Sequence, residues 1–388
     1  MNICFLNMPI EYYSPVSGGA ISTIIMQTAT ELLARGHQVT ILTPLNTDPI
    51  YTVGDVRPIR TRERHQLSLA QRAVSRLRNR VNPWDYGYYE YYLASFQSAL
   101  QKLSPAPDAV ICFNDLVAPN YIKQVLPNTR VFVDLQNEQG THQTNLTETI
   151  AAVDKFVACS RHIRRWTRNK YAIPDVKMAV INNGIDLEAF HPRPDYLEPR
   201  PCLEVLFIGR IDRNKGPDIA ADAVAVLQRE GLPVHLTVAG GLWFYGHGNE
   251  KADPFFRELK QKMDAVGADY KGHVTRPDVP ALVRGMDVSC VLSRTHDPNP
   301  LVCLESMASG CAVIGADRGG IPDAFGEAGM LVDPDDFEAV VTNLRRMASD
   351  PDALRQQKQR SVARASRASW AANADQWEVL LVPAGAGK

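Results

Sequence analysis

The apolar positions of this chain alternate between two periods. "NICFLN", from residue 2, is a short unbroken apolar run, and "SPVSGG" after it is a turn. "AISTIIMQTATELLARGH" then places Ile21, Ile24, Ile25, Leu32 and Leu33 at helical spacing, Gly36 stops the helix, and "QVTILT" is apolar again. A strand, a crossover helix and a second strand predict a parallel pair, the unit of a doubly wound sheet. Further strands are expected at "DAVICFN", "RVFVDLQ", "KFVACS" and "KMAVINN". After "NNGIDLEAFHPRPDYLEPRP", rich in proline and charge, the pattern restarts. Strands are expected at "LEVLFIGR", "VHLTVAGG", "VSCVLS", "CAVIGA" and "GMLVD", with helices near 217–230, near 254–266 and from 301.

The chain is therefore expected to be α/β, with two Rossmann-like doubly wound domains facing each other across a deep cleft, where ligands of such architectures bind. The first covers residues 1–185, the linker 186–200 and the second 201–368, and the region 369–388, with Trp370 and Trp377, is expected to pack back on the first. A length of 388 residues agrees, because one hydrophobic core does not grow that large. With 22% charged residues and a formal net charge of -1, no global charge points to nucleic acid. The seven cysteines lack zinc-site spacing and sit mostly in apolar runs, so they read as buried thiols of a reducing cytoplasm. No signal peptide or span of roughly 20 apolar residues is apparent, so the protein is expected to be cytoplasmic.

Candidate chemistry gathers in the second half. "GRIDRNKGPD" follows an apolar strand and puts Arg210 and Lys215 at its carboxyl end, where a guanidinium and an ammonium suit a diphosphate. The same two charges would also serve as solvated loop residues. In "HDPNPLVCLESMASG", Asn299 is a good N-cap and Pro300 a good first helical residue, which leaves the amides of Leu301 and Val302 in the first turn, where phosphate is attracted. Glu305 lies about one turn deeper in an otherwise apolar helix. Its carboxylate could accept two hydrogen bonds from the vicinal hydroxyls of a ribose, or pair with an arginine in the core. Asp297, before the helix, could reach hydroxyls of a second sugar. Gly18 and Gly19 let the backbone approach a phosphate at the start of the next helix, or simply make a turn. "VDPDD", residues 332–336, offers an Asp-x-Asp pattern, but its position between strand and helix favours capping over metal binding.

In combination, "SGG", "GRIDRNKG", "GHV", "DPNPLVCLESMASG" and "GGIPD" resemble family 4 of the retaining, GT-B-fold glycosyltransferases. The resemblance covers most of the chain. It implies that Arg210 and Lys215 neutralise the donor diphosphate in place of a metal, that Glu305 holds the ribose, and that Val274 contacts the base through its backbone. No cofactor is implied; the co-substrate is a nucleotide-diphosphate sugar, a UDP- or GDP-hexose, used in polysaccharide or glycoconjugate synthesis. Three positions depart from the family pattern. Asp297 stands for a longer Glu, Pro300 replaces a Gly, and Gln136 stands where the family commonly has a His. Gln136 can hydrogen-bond a donor sugar but cannot titrate. His142 is a candidate substitute.

The acceptor region is expected in the first domain. Residues 57–80 carry eight Arg against one Glu, with Arg72, Arg76 and Arg80 on one helical stripe, and Trp84 opens an aromatic cluster. Such a segment suits a saccharide or lipid-linked acceptor and peripheral contact with an anionic membrane, at its inner face, or is a solvated helix. A nucleotide-sugar epimerase and a nonenzymatic sugar-nucleotide-binding protein share the same architecture and are the alternatives.

Overall fold

The computed structural model describes residues 1–9, 11–60, 69–70, 95–138, 146–242 and 253–382. The chain divides into two compact units, residues 1–181 with 373–388, and residues 182–372.

The first unit is built on a sheet of seven strands, β1 (Asn2–Leu6), β2 (Gln38–Pro44), β3 (Asp55–Ile59), β4 (Ala109–Phe113), β5 (Arg130–Leu135), β6 (Lys155–Ala158) and β7 (Met178–Val180), all paired in parallel. Their order, β3-β2-β1-β4-β5-β6-β7, reverses direction between β1 and β4. The central strands β4 and β5 are buried apart from Arg130 because helices cover both faces, which is why they read as nearly continuous apolar runs. β3 is different. It is an edge strand, mostly exposed, with Pro58 next to its end, and no apolar run announces it.

Residues 373–382 belong to this first unit. The helix Trp370–Leu381 brings Trp377 edge-on to Phe132, with ring centroids 6.2 Å apart. Asp375 pairs with Arg35 at 2.8 Å, and the Leu381 carbonyl accepts from Arg130 at 2.8 Å.

The second unit holds β8 (Leu203–Ile208), β9 (Val234–Ala239), β10 (Asp269–Tyr270), β11 (Val288–Val291), β12 (Ala312–Ala316) and β13 (Met330–Val332), again all parallel, in the order β10-β9-β8-β11-β12-β13. Alternate side chains of β8 feed opposite cores. Val205 and Phe207 join Val224 and Leu227 of the helix Pro217–Arg229, and Leu206 joins Leu304 and Met307 of the helix Leu301–Ala308. The order reverses between β8 and β11, so the loops leaving these two strands, 209–216 and 292–300, lie together at the carboxyl edge. Together the two sheets make the GT-B fold.

Six of the seven cysteines are buried, Cys202 is half-buried, and none forms a disulfide. Among the described residues no helix is long and apolar enough to cross a membrane.

Candidate active site

In the second unit the loop after β8 is shaped by Asp212. Its Oδ1 accepts from the amides of Asn214 and Lys215, at 2.8 and 3.2 Å, and so caps a single 3-10 turn, Arg213–Lys215. The turn ends at Gly216, whose φ of +74° favours glycine; an added Cβ would also lie 2.3 Å from the Leu292 carbonyl oxygen. The chain is thereby pressed against the end of β11. Arg294 closes the seam from the other side. Its guanidinium donates to both carboxylate oxygens of the buried Asp218, at 2.8 and 2.7 Å, and to the Arg213 carbonyl at 2.6 Å, and its own amide donates to the Asn214 carbonyl at 2.7 Å.

This scaffold delivers Lys215 to Asp297. Lys215 Nζ donates to Asp297 Oδ2, which also accepts from Ser293 Oγ at 3.2 Å, and Asp297 is only 7% exposed. Arg210 pairs with Asp212 through its Nε. Both expected cations thus sit at the carboxyl edge, each beside an acid of its own unit.

The helix that follows begins one residue later than the sequence suggests. Pro300, with φ −68° and ψ 123°, is extended and serves as the N-cap, no side chain caps the helix, and Leu301 is its first residue. Asn299 is therefore not the cap; it is buried, and its carbonyl takes Asn183 Nδ2 at 3.5 Å. The amides of Leu301 and Val302 remain in the first turn, where no intrahelical acceptor exists for them. Glu305 is 4% exposed and accepts from Arg276 Nη1 at 2.5 Å. Arg276 escaped the sequence reading because one arginine in a loop carries no periodic signal. Val274, two residues before it, is half-buried against the cluster that contains Leu304. The "VDPDD" carboxylates are committed elsewhere: Asp336 caps the helix Phe337–Ser349, and Asp333 and Asp335 each hold Arg318 at 2.6 Å.

In the first unit Gln136 follows β5 and is anchored through both its backbone amide and its side chain. Asn114, itself at φ +50°, accepts from the Gln136 and Asn137 amides with its Oδ1, at 2.7 and 3.1 Å, and Gln136 Nε2 donates to Asp134 Oδ1 at 2.7 Å. Burial pushes the Asp134 carboxyl up to about 7, against the opposing effect of the Gln136 hydrogen bond. Just beyond, Glu138 and His162 pair at 2.7 Å, a contact between a loop and the helix Arg161–Tyr171 that spacing did not reveal.

Gly18 and Gly19 precede the helix Ala20–Ala34. A Cβ at Gly18 would fall 2.2 Å from the Ser14 carbonyl oxygen, so the close approach that requires glycine is made by the protein's own loop. The helix start is occupied as well: Glu11 Oε1 accepts from the Ser22 amide at 2.8 Å, and burial raises the Glu11 carboxyl above its ordinary range. Arg72, Arg76, Arg80, Trp84 and His142 lie outside the described residues.

The model of Glycosyltransferase Family 4 matches residues 18–189, and that of Glycosyl transferases group 1 matches residues 193–366. The chain is 29% identical over 241 residues to a D-inositol 3-phosphate glycosyltransferase of Thermobispora bispora, covering 58% of this chain and 55% of that one. More generally, the matched stretch spans 50 to 62% of the length of the first curated relatives. The sucrose-phosphate synthase of Thermosynechococcus elongatus superposes with a TM-score of 0.74 at 19% identity, over 98% of each chain. Anabaena HepE in complex with UDP and glucose superposes with a TM-score of 0.71 at 17% identity, over 98% of this chain and 99% of that one.

Proposed function

The chain belongs to the GT-B-fold glycosyltransferases related to group 1 and family 4, and we propose that it moves a hexosyl residue from a UDP- or GDP-hexose to a saccharide or lipid-linked saccharide, with retention of anomeric configuration and without a metal. In this reading Arg210 and Lys215 receive the donor pyrophosphate together with the Leu301 and Val302 amides, Glu305 takes the ribose hydroxyls and Val274 meets the base. Asp297 and Asn299 face the transferred sugar. Gln136, Gly18 and Gly19 serve from the first unit, and the reaction takes place in the cytoplasm, at the inner membrane face when the acceptor is lipid-linked.

The observation that carries the reading is the meeting of Lys215 with Asp297, 82 residues apart in sequence, beside the start of an uncapped helix where the strand order reverses. A cation, first-turn amides and an acid gathered in one place suit a ligand in which a sugar is joined to a diphosphate. As the glycosidic bond breaks, the diphosphate gains negative charge and the sugar becomes cationic, so fixed cations beside the phosphates lower the barrier more than they stabilise the bound donor.

The test is incubation of the protein with UDP- and GDP-hexoses and saccharide acceptors, with the product anomer read by NMR. Glycosylated acceptor of the donor's configuration is expected, and an Arg210→Ala, Lys215→Ala double variant is expected to lose roughly 100-fold or more of turnover. Unchanged turnover in that variant refutes the assignment, and epimerised donor without transfer points to the epimerase. Activity is expected to persist in excess chelator; loss restored by a divalent cation overturns the metal-free mechanism.

A further inference from the structure

Glu305 is held from one side. Its Oε1 receives Arg276 Nη1, and no other protein donor reaches the carboxylate among the described residues. The helix around it, Leu301–Ala308, has no second charged residue, so no counter-ion is available from its own turn. Arg276 comes from a different element 29 residues away, the 3-10 turn Arg276–Asp278. It is itself steadied by the ring of the buried Phe190, whose centroid lies 5.2 Å from the guanidinium carbon.

Two consequences follow from elementary chemistry. Burying a carboxylate this deeply is costly unless it is paired or hydrogen-bonded, and Arg276 is the partner provided. An ionised carboxylate also has about four acceptor positions, of which the guanidinium takes one, and its direction fixes the plane of the rest. We infer that Arg276 is a positioning residue for nucleoside recognition: it holds Glu305 turned so that the remaining acceptor positions, Oε2 foremost, take the vicinal hydroxyls of a ribose. The inference deepens the proposed function and rests on the role given there to Glu305.

The measurement is calorimetric binding of UDP and GDP, each against its 2′-deoxy form, with inorganic pyrophosphate as a control for the Arg210 and Lys215 end. A site that hydrogen-bonds a substrate hydroxyl penalises the analogue lacking it, here on the order of tenfold or more for a charged acceptor. The whole chain should show that ribose preference. Arg276→Met should reduce it to within about twofold while leaving pyrophosphate affinity within about twofold. Arg276→Lys, which retains a charge, should restore part of it, and Arg276→Met with Glu305→Gln should lose no more than either alone. An Arg276→Met variant that keeps the full preference overturns the inference and leaves the diol role of Glu305 standing. Loss of pyrophosphate affinity along with the preference marks general damage and also overturns it. Absence of any ribose preference in the unaltered protein removes the diol role itself, and the inference with it.

Discussion

At pH 8 the first unit holds a carboxylate in a place that prefers it neutral, and replacing Asp134 by asparagine relieves that conflict. The carboxyl titrates at about 7 in the fold and near 3.8 when free, with burial as the main cause. Between about pH 4 and 7 the folded protein therefore keeps a proton that the unfolded chain has released, and stability falls as pH rises through that window. Below it both states are protonated, and above it the loss is complete. At about 1.4 kcal/mol per decade, the full cost is about 4 kcal/mol, of which roughly 2.5 kcal/mol accrues between pH 5 and pH 8. Asparagine keeps an oxygen to accept from Gln136 Nε2, and the cost of fitting its extra amide, about 1–3 kcal/mol, does not change with pH. The decisive quantity is therefore the change in the stability gap between variant and parent from pH 5 to pH 8. Because the chain has two units, a single global transition is not assumed, and urea unfolding is best followed by hydrogen exchange of the β5 amides, Arg130–Leu135. The variant should gain about 2.5 kcal/mol on the parent over those three pH units. An equal gap at both pH values refutes the reasoning.

Two further outcomes rest on charges in the second unit. Arg294→Lys keeps a cation beside Asp218 but gives up the two-pronged contact and the bond to the Arg213 carbonyl, so the turn carrying Lys215 loosens. Steady-state kinetics should show kcat lowered about tenfold with donor KM within about twofold, the signature of a contact made mainly in the transition state. Lys358 and Asp287 form a pair at 2.6 Å with side chains 3% and 2% exposed, so Lys358→Met should destabilise the second unit by about 3 kcal/mol, and adding Asp287→Asn should recover part of it; thermal melts check both.

The apolar runs were legible because strands buried on both faces leave no polar alternation to confuse them, as in "AVICF" and "AVIGA". β3 was not, since an exposed edge strand with a proline lacks both run and alternation. The same division holds in the site. Lys215, Asp297 and Glu305 stand out because a charge inside or beside an apolar element is conspicuous along the chain. Their partners do not, because Arg276, Arg294 and Asp212 are loop residues whose proximity is decided by how strands and loops meet in space. Asp134 was visible only as a break in "VFVDLQ", and Glu11 at the start of the Ala20–Ala34 helix only as one acid in a polar turn.

The lodging of residues 373–382 in the first unit bears on how the molecule is made. As the polypeptide leaves the ribosome, the whole of 182–372 must be translated before Trp377 can reach Phe132 and Asp375 can reach Arg35. Until then Phe132, buried in the finished fold, lacks the Trp377 ring that packs on it. The helix Trp370–Leu381 is thus made after the second unit, yet it completes a unit whose sheet was made before it.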